Sequence, residues 1–362
     1  MTQVRGAQAS DNSDLLSLFG RCPMEADISL VVERDPDFFA LGRARGEALT
    51  FVAEWEGRLV GAISTWRHRA WIRGREGSIR FVGDLRVDPS ARRRGVARGL
   101  ALAIIEHLKT LPAAPFLAAT GEGNSAVAPL VSAFGAAGPP LARFSSWQLL
   151  PIARLRIPAS LDIGAAESRD EDELVDLLDG FHRQRDFAPV FSDGGFRTIL
   201  SSSGMQLSDY LVARRNGRIV AAMGAWDASS IRRTRVAGMP AWMRGLSAAA
   251  RGLAHIAPVS PLPRVGAHLQ FRYVRHPSHA AGEEEALMAL VRSAIHAAGD
   301  RRDHFLLFTC ADDDPLARVV SRLPKLRFRY RLTSFLDDRS GASLFPDDAG
   351  VRQPAFDDAA LA

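Results

Sequence analysis

The sequence is poor in cysteine and in long apolar stretches, and each shortage excludes a class of protein. Two cysteines occur, Cys22 and Cys310, which are too few and too far apart for a disulfide framework or a zinc-binding pattern. No run of 18 or more apolar residues is present, which excludes a membrane-spanning helix. The first residues, MTQVRGAQASDNSDLL, lack the basic and then apolar layout of a secretion signal. We therefore expect a cytoplasmic protein with no membrane partner.

Lysine is also scarce, since it occurs only at Lys109 and Lys325 among 46 basic residues. The arginines scatter along the whole chain and are balanced by 41 acidic residues, which leaves a formal net charge of +5. Proteins that bind nucleic acids concentrate their basic residues on one face or stripe, so no nucleic-acid partner is expected. The nine histidines have no ligand spacing with cysteine or carboxylate, so no metal is expected either.

Two stretches of the sequence repeat each other at a distance of 160 residues: AEWEGRLVGAISTW begins at position 53 and ARRNGRIVAAMGAW at position 213. Each predicts two strands joined by a tight turn, at Glu56-Gly57 and at Asn216-Gly217. Two further matches keep the same order. LRVDP at 85–89 matches YVRHP at 273–277, and in both we expect the proline to end a strand. FLAATGEGNSAVAPLV at 116–131 matches LLFTCADDDPLARVV at 306–320. The chain is therefore predicted to hold two copies of one α/β unit.

A helix is predicted before each hairpin, and a boundary between the two copies. Ser10 or Asp11 is expected to cap the first helix, and Ser168 with Glu171 to form a capping box on the second. The stretch PIARLRIPASLD has two prolines and no periodicity, so we place the boundary there. We predict a first domain at 1–150 and a second domain at 162–336, which has an extra segment near 231–265. Residues 337–362 are predicted to form a loose, acidic, alanine-rich tail.

Arginines crowd a turn that joins a predicted strand to a predicted helix. The strand SIRFVGDLRV leads through Asp88-Pro89 into ARRRGVARGL, and LALAIIEHLK then continues with helical spacing. The first N–H groups of a helix lack partners and carry partial positive charge, and Gly95 allows a ligand to approach them closely. Either a solvated basic turn or an anion site fits this pattern, and the context favours a diphosphate site with four arginines around it: Arg92, Arg93, Arg94 and Arg98.

The pattern Arg92-x-x-Gly95-x-Ala97, behind a strand ending in VDP and ahead of an amphipathic helix, resembles the signature of the GNAT superfamily of N-acyltransferases. The resemblance covers most of 4–150 and, more faintly, 162–336. It implies an α/β fold of two tandem domains, each a twisted mixed β-sheet flanked by helices, with acetyl-CoA between two splayed parallel strands. It also implies that the backbone at 85–87 pairs with the pantetheine arm and that N–H groups at 93–97 hold the pyrophosphate. The implied cofactor-binding residues are Leu85, Arg86, Val87, Arg92, Arg93, Arg94, Gly95, Val96, Ala97, Arg98 and Asn124.

The second copy departs from this pattern. Its loop, HPSHAAGEEEALMAL, has no arginine between Pro277 and Gly282 and is one residue shorter in our alignment. Glu283, Glu284 and Glu285 follow, and they stabilise a helix start but repel a diphosphate. Asp314 stands in the place of Asn124. We therefore expect the second domain to keep the fold, to bind no cofactor and to shape the acceptor cleft.

The sequence identifies the catalytic groups less clearly than it identifies the cofactor site. The tyrosine that the resemblance leads us to expect as proton donor is replaced by Val131, and the three tyrosines lie in the second half. For a general base, Asp84 on the predicted central strand is the most local carboxylate. The sequence fits equally well with Asp84 as a surface acid at the end of a strand. Acids at Glu25, Asp27, Glu33 and Asp35 either attract a cationic amine or form a solvated face. The predicted function is N-acetyl transfer from acetyl-CoA to a small-molecule or peptide amine; the alternative is a non-catalytic acyl-CoA-binding regulator or scaffold.

Overall fold

One continuous β-sheet joins the two halves of the chain. The computed structural model describes residues 2–24, 28–112, 114–122, 140–152, 155–245, 263–335 and 353–361. Within these residues twelve strands form a single mixed sheet, and two further strands pair with each other. Helices pack on both faces, so each half has the mixed α/β architecture that the sequence predicts.

The first half supplies seven strands and three helices among the described residues. In chain order these are β1 Gln3–Gly6, α1 Asn12–Arg21, β2 Ser29–Glu33, α2 Ala40–Arg45, β3 Glu47–Trp55, β4 Arg58–Ile72, β5 Arg75–Val87, α3 Val96–Lys109, β6 Phe116–Gly121 and β7 Ala142–Leu149. The second half supplies β8 Asp162–Ala165, α4 Glu171–His182, α5 Gly195–Ser203, β9 Tyr210–Arg215, β10 Arg218–Trp226, β11 Arg233–Gly238, β12 Phe271–His279, α6 Glu284–Arg301, β13 Phe305–Ala311 and β14 Lys325–Phe335.

The predicted hairpin turns are confirmed. Both residues of Glu56-Gly57 have positive φ, at 51° and 73°, as do both residues of Asn216-Gly217, at 53° and 78°. Two residues with positive φ match the twist of the flanking strands. A third turn of this kind, Arg73-Gly74, joins β4 to β5.

One predicted helix start is confirmed and the other is wrong by one residue. Asp11 occupies the N-cap position of α1, as predicted, and its carboxylate accepts from the Gln8 backbone N–H at 2.7 Å rather than from the first turn of α1. In the second half, the Glu167 backbone N–H donates to the Asp170 carboxylate at 2.7 Å. The capping box therefore begins one residue before the predicted Ser168–Glu171 pair, because the acid that reaches back is Asp170.

Strand register shows how the two copies correspond. Ser64 on β4 lies opposite Gly83, and Gly224, its counterpart 160 residues later, lies opposite Arg275. Asp84 therefore corresponds to His276, and both have positive φ, 58° and 52°, at a bulge. The predicted match of LRVDP with YVRHP is thus wrong, because Pro277 lies inside β12 and does not end it.

The match of FLAATG with LLFTCA is confirmed by the same comparison. Phe116 lies beside Arg80, and Leu306 lies beside Arg272, its counterpart in the second half. In both halves the parallel pairing covers only two or three residues, at the start of β6 or β13. The two copies therefore share a pair of parallel strands that meet over a short stretch and then separate.

The halves are interlocked by an exchange of strands. The sheet order is β1-β3-β4-β5-β6-β14-β7-β13-β12-β10-β9-β8, so β14 from the second half lies between two strands of the first, β6 and β7. At the centre, Tyr330 on β14 stacks on Phe144 of β7 with ring centroids 5.1 Å apart. The predicted division at 150–162 thus follows the repeat but cuts through one shared sheet.

The end of the chain is packed between the halves, contrary to the predicted loose tail. In residues 353–361, Ala355 and Ala360 are buried among apolar side chains. Asp358 accepts hydrogen bonds from Arg275 at 2.9 and 2.6 Å, and the Tyr330 hydroxyl donates to Asp357 at 2.6 Å. These acids are ordered because buried donors from distant strands face them; residues 337–352 lie outside the described part.

Candidate functional site

A gap opens in the sheet where β5 and β6 separate. The two strands pair only at Arg80 with Phe116 and at Phe81 with Leu117, and β5 then bends at the Asp84 bulge. Bulges bend strands and often occur beside active sites. Past the bulge, the Leu85 carbonyl accepts from the Arg86 guanidinium at 2.9 Å, and the Val87 carbonyl accepts from the Cys22 thiol at 3.6 Å. Residues 85–87 lie beyond the last residue of β5 that pairs with β6, so in the described residues no strand pairs with this stretch on the β6 side, where an amide-bearing ligand can pair with it.

The arginine turn lies directly at the end of this gap. Asp88 accepts from the Ser90 backbone N–H at 3.0 Å and so starts a short 3₁₀ turn at Pro89. Arg93 and Gly95 have positive φ, 63° and 79°, and α3 begins at the next residue. Among the described residues, no backbone group accepts from the N–H groups of residues 93–97. Five donors are thus left for an anion at a helix start.

The side chains around this turn suit a phosphate ligand. Arg92, Arg93, Arg94 and Arg98 are all exposed, and a Cβ placed on Gly95 would meet nothing within 4 Å. The Arg94 guanidinium lies over the Trp55 ring at 4.2 Å, which fixes its direction. The structure therefore places ten of the predicted residues, 85–87 and 92–98, along one gap and its end. Asn124 and Val131 lie outside the described residues.

The second half lacks this turn. Four residues, 280–283, join β12 to α6, whereas eight residues, 88–95, join β5 to α3. The predicted difference of one residue was wrong because the two prolines are not equivalent. Glu283 at this helix start accepts two hydrogen bonds from Arg215, at 3.1 and 3.0 Å. Asp314 is buried, pairs with Arg185 at 2.8 and 3.0 Å, and caps a 3₁₀ turn, so its charge is used inside the fold.

The bulge of the second half is also filled. His276, the counterpart of Asp84, accepts or donates a hydrogen bond to the Tyr210 hydroxyl at 2.7 Å, and its Nε2 lies 3.4 Å from Asp358. Burial lowers the pKa of His276 to about 4. Phe356 packs against this ring, so the segment 353–361 occupies the space beside the second bulge.

Asp84, the candidate base, is buried between two arginines. Arg34 donates to it at 2.5 Å, and Arg45 donates to both of its oxygens, at 3.3 Å to the farther one. Burial opposes the charged carboxylate, but the two guanidinium groups outweigh it and hold the pKa of Asp84 well below its usual range. A carboxylate held in this way is a weak proton acceptor at neutral pH.

A cavity of about 210 Å³ lies beside this ion-paired group, on the α1 and α2 face of the sheet. Arg34, Arg45, Asp84, Thr50 and Ser64 line it together with residues of α2. The Thr50 and Ser64 hydroxyls are 2.9 Å apart. The cavity and the gap meet at Asp84, since Leu85 is the next residue of β5.

Sequence reasoning missed Arg34 and Arg45 as members of the site. They follow β2 and end α2, 50 and 39 residues from Asp84, and no local motif marks either one. Of the acids expected to attract an amine, Glu33 is already paired with basic residues of the chain. Glu33 pairs with Arg235 and with His268, at 2.5 and 2.7 Å, and Glu25 and Asp27 lie outside the described residues.

The described residues contain neither a metal-binding cluster nor a membrane-spanning helix. No group of three or more histidine, cysteine, aspartate or glutamate side chains there is arranged to hold a metal ion. No helix in the same residues is long and apolar enough to cross a membrane.

Comparison with known proteins agrees with this geometry. Residues 13–136 match the model of the acetyltransferase (GNAT) family. A search of curated proteins gives no match.

Solved structures share the fold at low sequence identity. A GCN5-related N-acetyltransferase from Sphaerobacter thermophilus is 13% identical with TM-score 0.57, covering 92% of this chain and 95% of that one. N-myristoyltransferase from Saccharomyces cerevisiae with bound myristoyl-CoA is 11% identical with TM-score 0.63, covering 92% and 82%. A tandem GNAT protein from the clavulanic acid biosynthesis pathway is 13% identical with TM-score 0.55, covering 92% and 98%.

The family match includes β5, the arginine turn, α3 and β6, which are the elements that build the gap. The fold of both halves is that of GNAT proteins, including a tandem one. The part of the chain that builds the gap is therefore similar to the acetyltransferase (GNAT) family, and the described chain shares the fold of GNAT proteins.

Proposed function

We propose that this chain transfers the acetyl group of acetyl-CoA to an amine of a small molecule or peptide, and that its first half holds the donor. The observation that carries the proposal is the turn at 92–98, where five unpaired N–H groups and four exposed arginines meet at the start of α3. The pyrophosphate would bind the N–H groups of residues 93–97, and Arg98 would reach the 3′-phosphate. The pantetheine amides would pair with the backbone at 85–87.

A short acyl group fits the closed end of the gap better than a long chain does. Where β5 and β6 still pair, buried side chains fill the space: Trp66, Phe81, Leu117, Phe144 and Tyr330. Among the described residues these side chains are packed together, so a long acyl chain at this end would require them to rearrange. This packing supports acetyl-CoA as the donor, although a structural neighbour binds myristoyl-CoA.

In the reaction, a neutral amine attacks the thioester carbon, a C–N bond forms and the C–S bond breaks. The nitrogen then loses one proton and the CoA thiolate takes one up, which gives the amide and free CoA. The five N–H groups and the paired backbone would hold the thioester in one position for this attack. Because Asp84 is a weak base, we assign it a positioning role: it fixes the directions of Arg34 and Arg45 beside the gap.

Release of free CoA tests this proposal. The chain is incubated with acetyl-CoA or myristoyl-CoA and a panel of amines, and new thiol is measured against a control without amine. The proposal expects amine-dependent release with acetyl-CoA and an acetylated product by mass spectrometry. Binding of acetyl-CoA with no release above hydrolysis would instead indicate an acyl-CoA-binding regulator, and preference for myristoyl-CoA would contradict the short-chain donor.

A further inference from the structure

Positive charge exceeds negative charge around the cavity beside Asp84. Arg34 is 4% exposed and Arg45 is 3% exposed, and both pair with the single carboxylate of Asp84. Arg86 adds a third guanidinium, 5.3 Å from the Phe19 ring on which Arg34 also lies at 4.8 Å. Burying such a surplus costs free energy unless an anion balances it.

Other charged residues near Arg45 do not remove this excess of positive charge. Asp357 accepts from Tyr330, and although burial raises the pKa of Asp357 to about 6, it stays mostly ionised at neutral pH and offsets one positive charge. Arg232, which donates to the Ala360 carbonyl at 3.0 Å, contributes another positive charge on the same side. Burial and the like charge of Arg34 lower the pKa of Arg45 to about 10, against the opposing effect of Asp84.

Arg34 also has hydrogen-bonding capacity that the described chain does not use. Its Nε is buried, with no acceptor among the described residues. The guanidinium is held between the rings of Phe19 and Phe38, at 4.8 and 4.9 Å, so its plane is fixed beside the cavity that it lines. A planar guanidinium in a fixed direction is suited to carboxylate and phosphate groups.

We propose that this cavity binds an anionic oxygen group of the acceptor, a carboxylate or a phosphate, so that the acceptors of this enzyme are amines that also carry an acid. This inference rests on the proposed function, because it assumes an amine acceptor. The anion would lie against Arg34 and Arg45, with the Thr50 and Ser64 hydroxyls on the same wall. Since the cavity adjoins Leu85 through Asp84, an acceptor anchored there directs its amine toward the gap.

Matched acceptors test the inference in the native protein. The panel contains α-, β- and γ-amino acids, the amide of each, and aminoalkyl phosphates of matching length. We expect kcat/KM for the preferred acid to exceed that of its amide by about 100-fold, because the amide leaves the buried guanidinium groups without their anion. Preference for the carboxylate or for the phosphate identifies which anion is used. Equal rates for acids and amides, or preference for cationic amines, would overturn the inference and leave acetyl transfer intact.

Two variants separate recognition from folding. Arg34→Met is expected to reduce the ratio of acid to amide to below about threefold while the Kd for acetyl-CoA stays the same. Arg67→Met is the control, since the Arg67 side chain is 44% exposed, pairs with Glu47 and does not line the cavity. Loss of the ratio in the control, or its retention in Arg34→Met, would contradict the assignment.

A binding measurement does not depend on turnover. Propionate or inorganic phosphate is added to native protein saturated with acetyl-CoA, and binding is followed by ligand-observed NMR. We expect one of these anions to bind the native chain and Arg67→Met but not Arg34→Met. Absence of binding by both anions to the native chain would overturn the inference even if Arg34→Met failed to fold. Failure of acetyl-CoA itself to bind would instead refute the proposed function.

Discussion

Reversing the charge of Arg94 is expected to weaken acetyl-CoA binding by about 100-fold. At a separation of about 5 Å in water, each pair of unit charges contributes about 0.8 kcal/mol. Arg94→Glu changes the local charge by two units, and with two phosphate charges the loss is about 3 kcal/mol. The side chain is exposed, and its described contact is with the Trp55 ring, so the fold should remain intact.

Titration calorimetry at about 50 mM and about 300 mM salt is the assay. Because exposed charges are screened by salt, the difference between native and variant should shrink at the higher concentration. Arg218→Glu is the matched control. Arg218 is also exposed, but it lies on the hairpin of the second half, at the position that Arg58 has in the first. An unchanged Kd for Arg94→Glu, or an equal loss in Arg218→Glu, would refute the reasoning about the turn.

Three further predictions concern the folded state. Asp84→Asn should lower the free energy of unfolding by about 3–5 kcal/mol, because it leaves buried arginines unpaired; urea denaturation measures this. Because the folded pKa of Asp84 is lowered, its contribution should be present above about pH 4, the usual carboxyl value, and be lost as the pH falls toward the folded pKa, so native and variant stabilities should converge in acid. Asp358→Asn should destabilise by a similar amount, because the buried Arg275 loses the negative charge that balances it, and an unchanged melting temperature would show that 353–361 is not packed in solution. Gly95→Ala should cost only about 1 kcal/mol, since its φ of 79° is strained for alanine while the Cβ has open space, and a loss above about 3 kcal/mol would contradict the open turn.

Features encoded by neighbouring residues were predictable from the sequence. The turns Glu56-Gly57 and Asn216-Gly217 follow from residues that tolerate positive φ. The arginine turn could be read for the same reason, because strand, turn, glycine and helix are consecutive. Each of these features is specified within about ten residues of sequence.

Features that depend on distant contacts were not predictable. The insertion of β14 between β6 and β7 depends on pairings such as Tyr330 with Gly121, more than 200 residues apart. The segment 353–361 looked loose because its acids have no local partners, whereas Arg275 lies 83 residues away from Asp358. Pro277 led to the wrong alignment of the two copies. A buried strand tolerates this proline because it lies at a β-bulge, and the bulge can be recognised only from the strand register.

Hydrogen exchange tests the central claim most directly, because it observes the N–H groups that are proposed to hold the pyrophosphate. Without ligand, the N–H groups of residues 93–97 have no backbone acceptor among the described residues and should exchange quickly. With saturating acetyl-CoA, exchange is predicted to slow at 93–97 and to stay unchanged at 280–286. Protection of 280–286, or unchanged exchange at 93–97 with acetyl-CoA bound, would contradict the account.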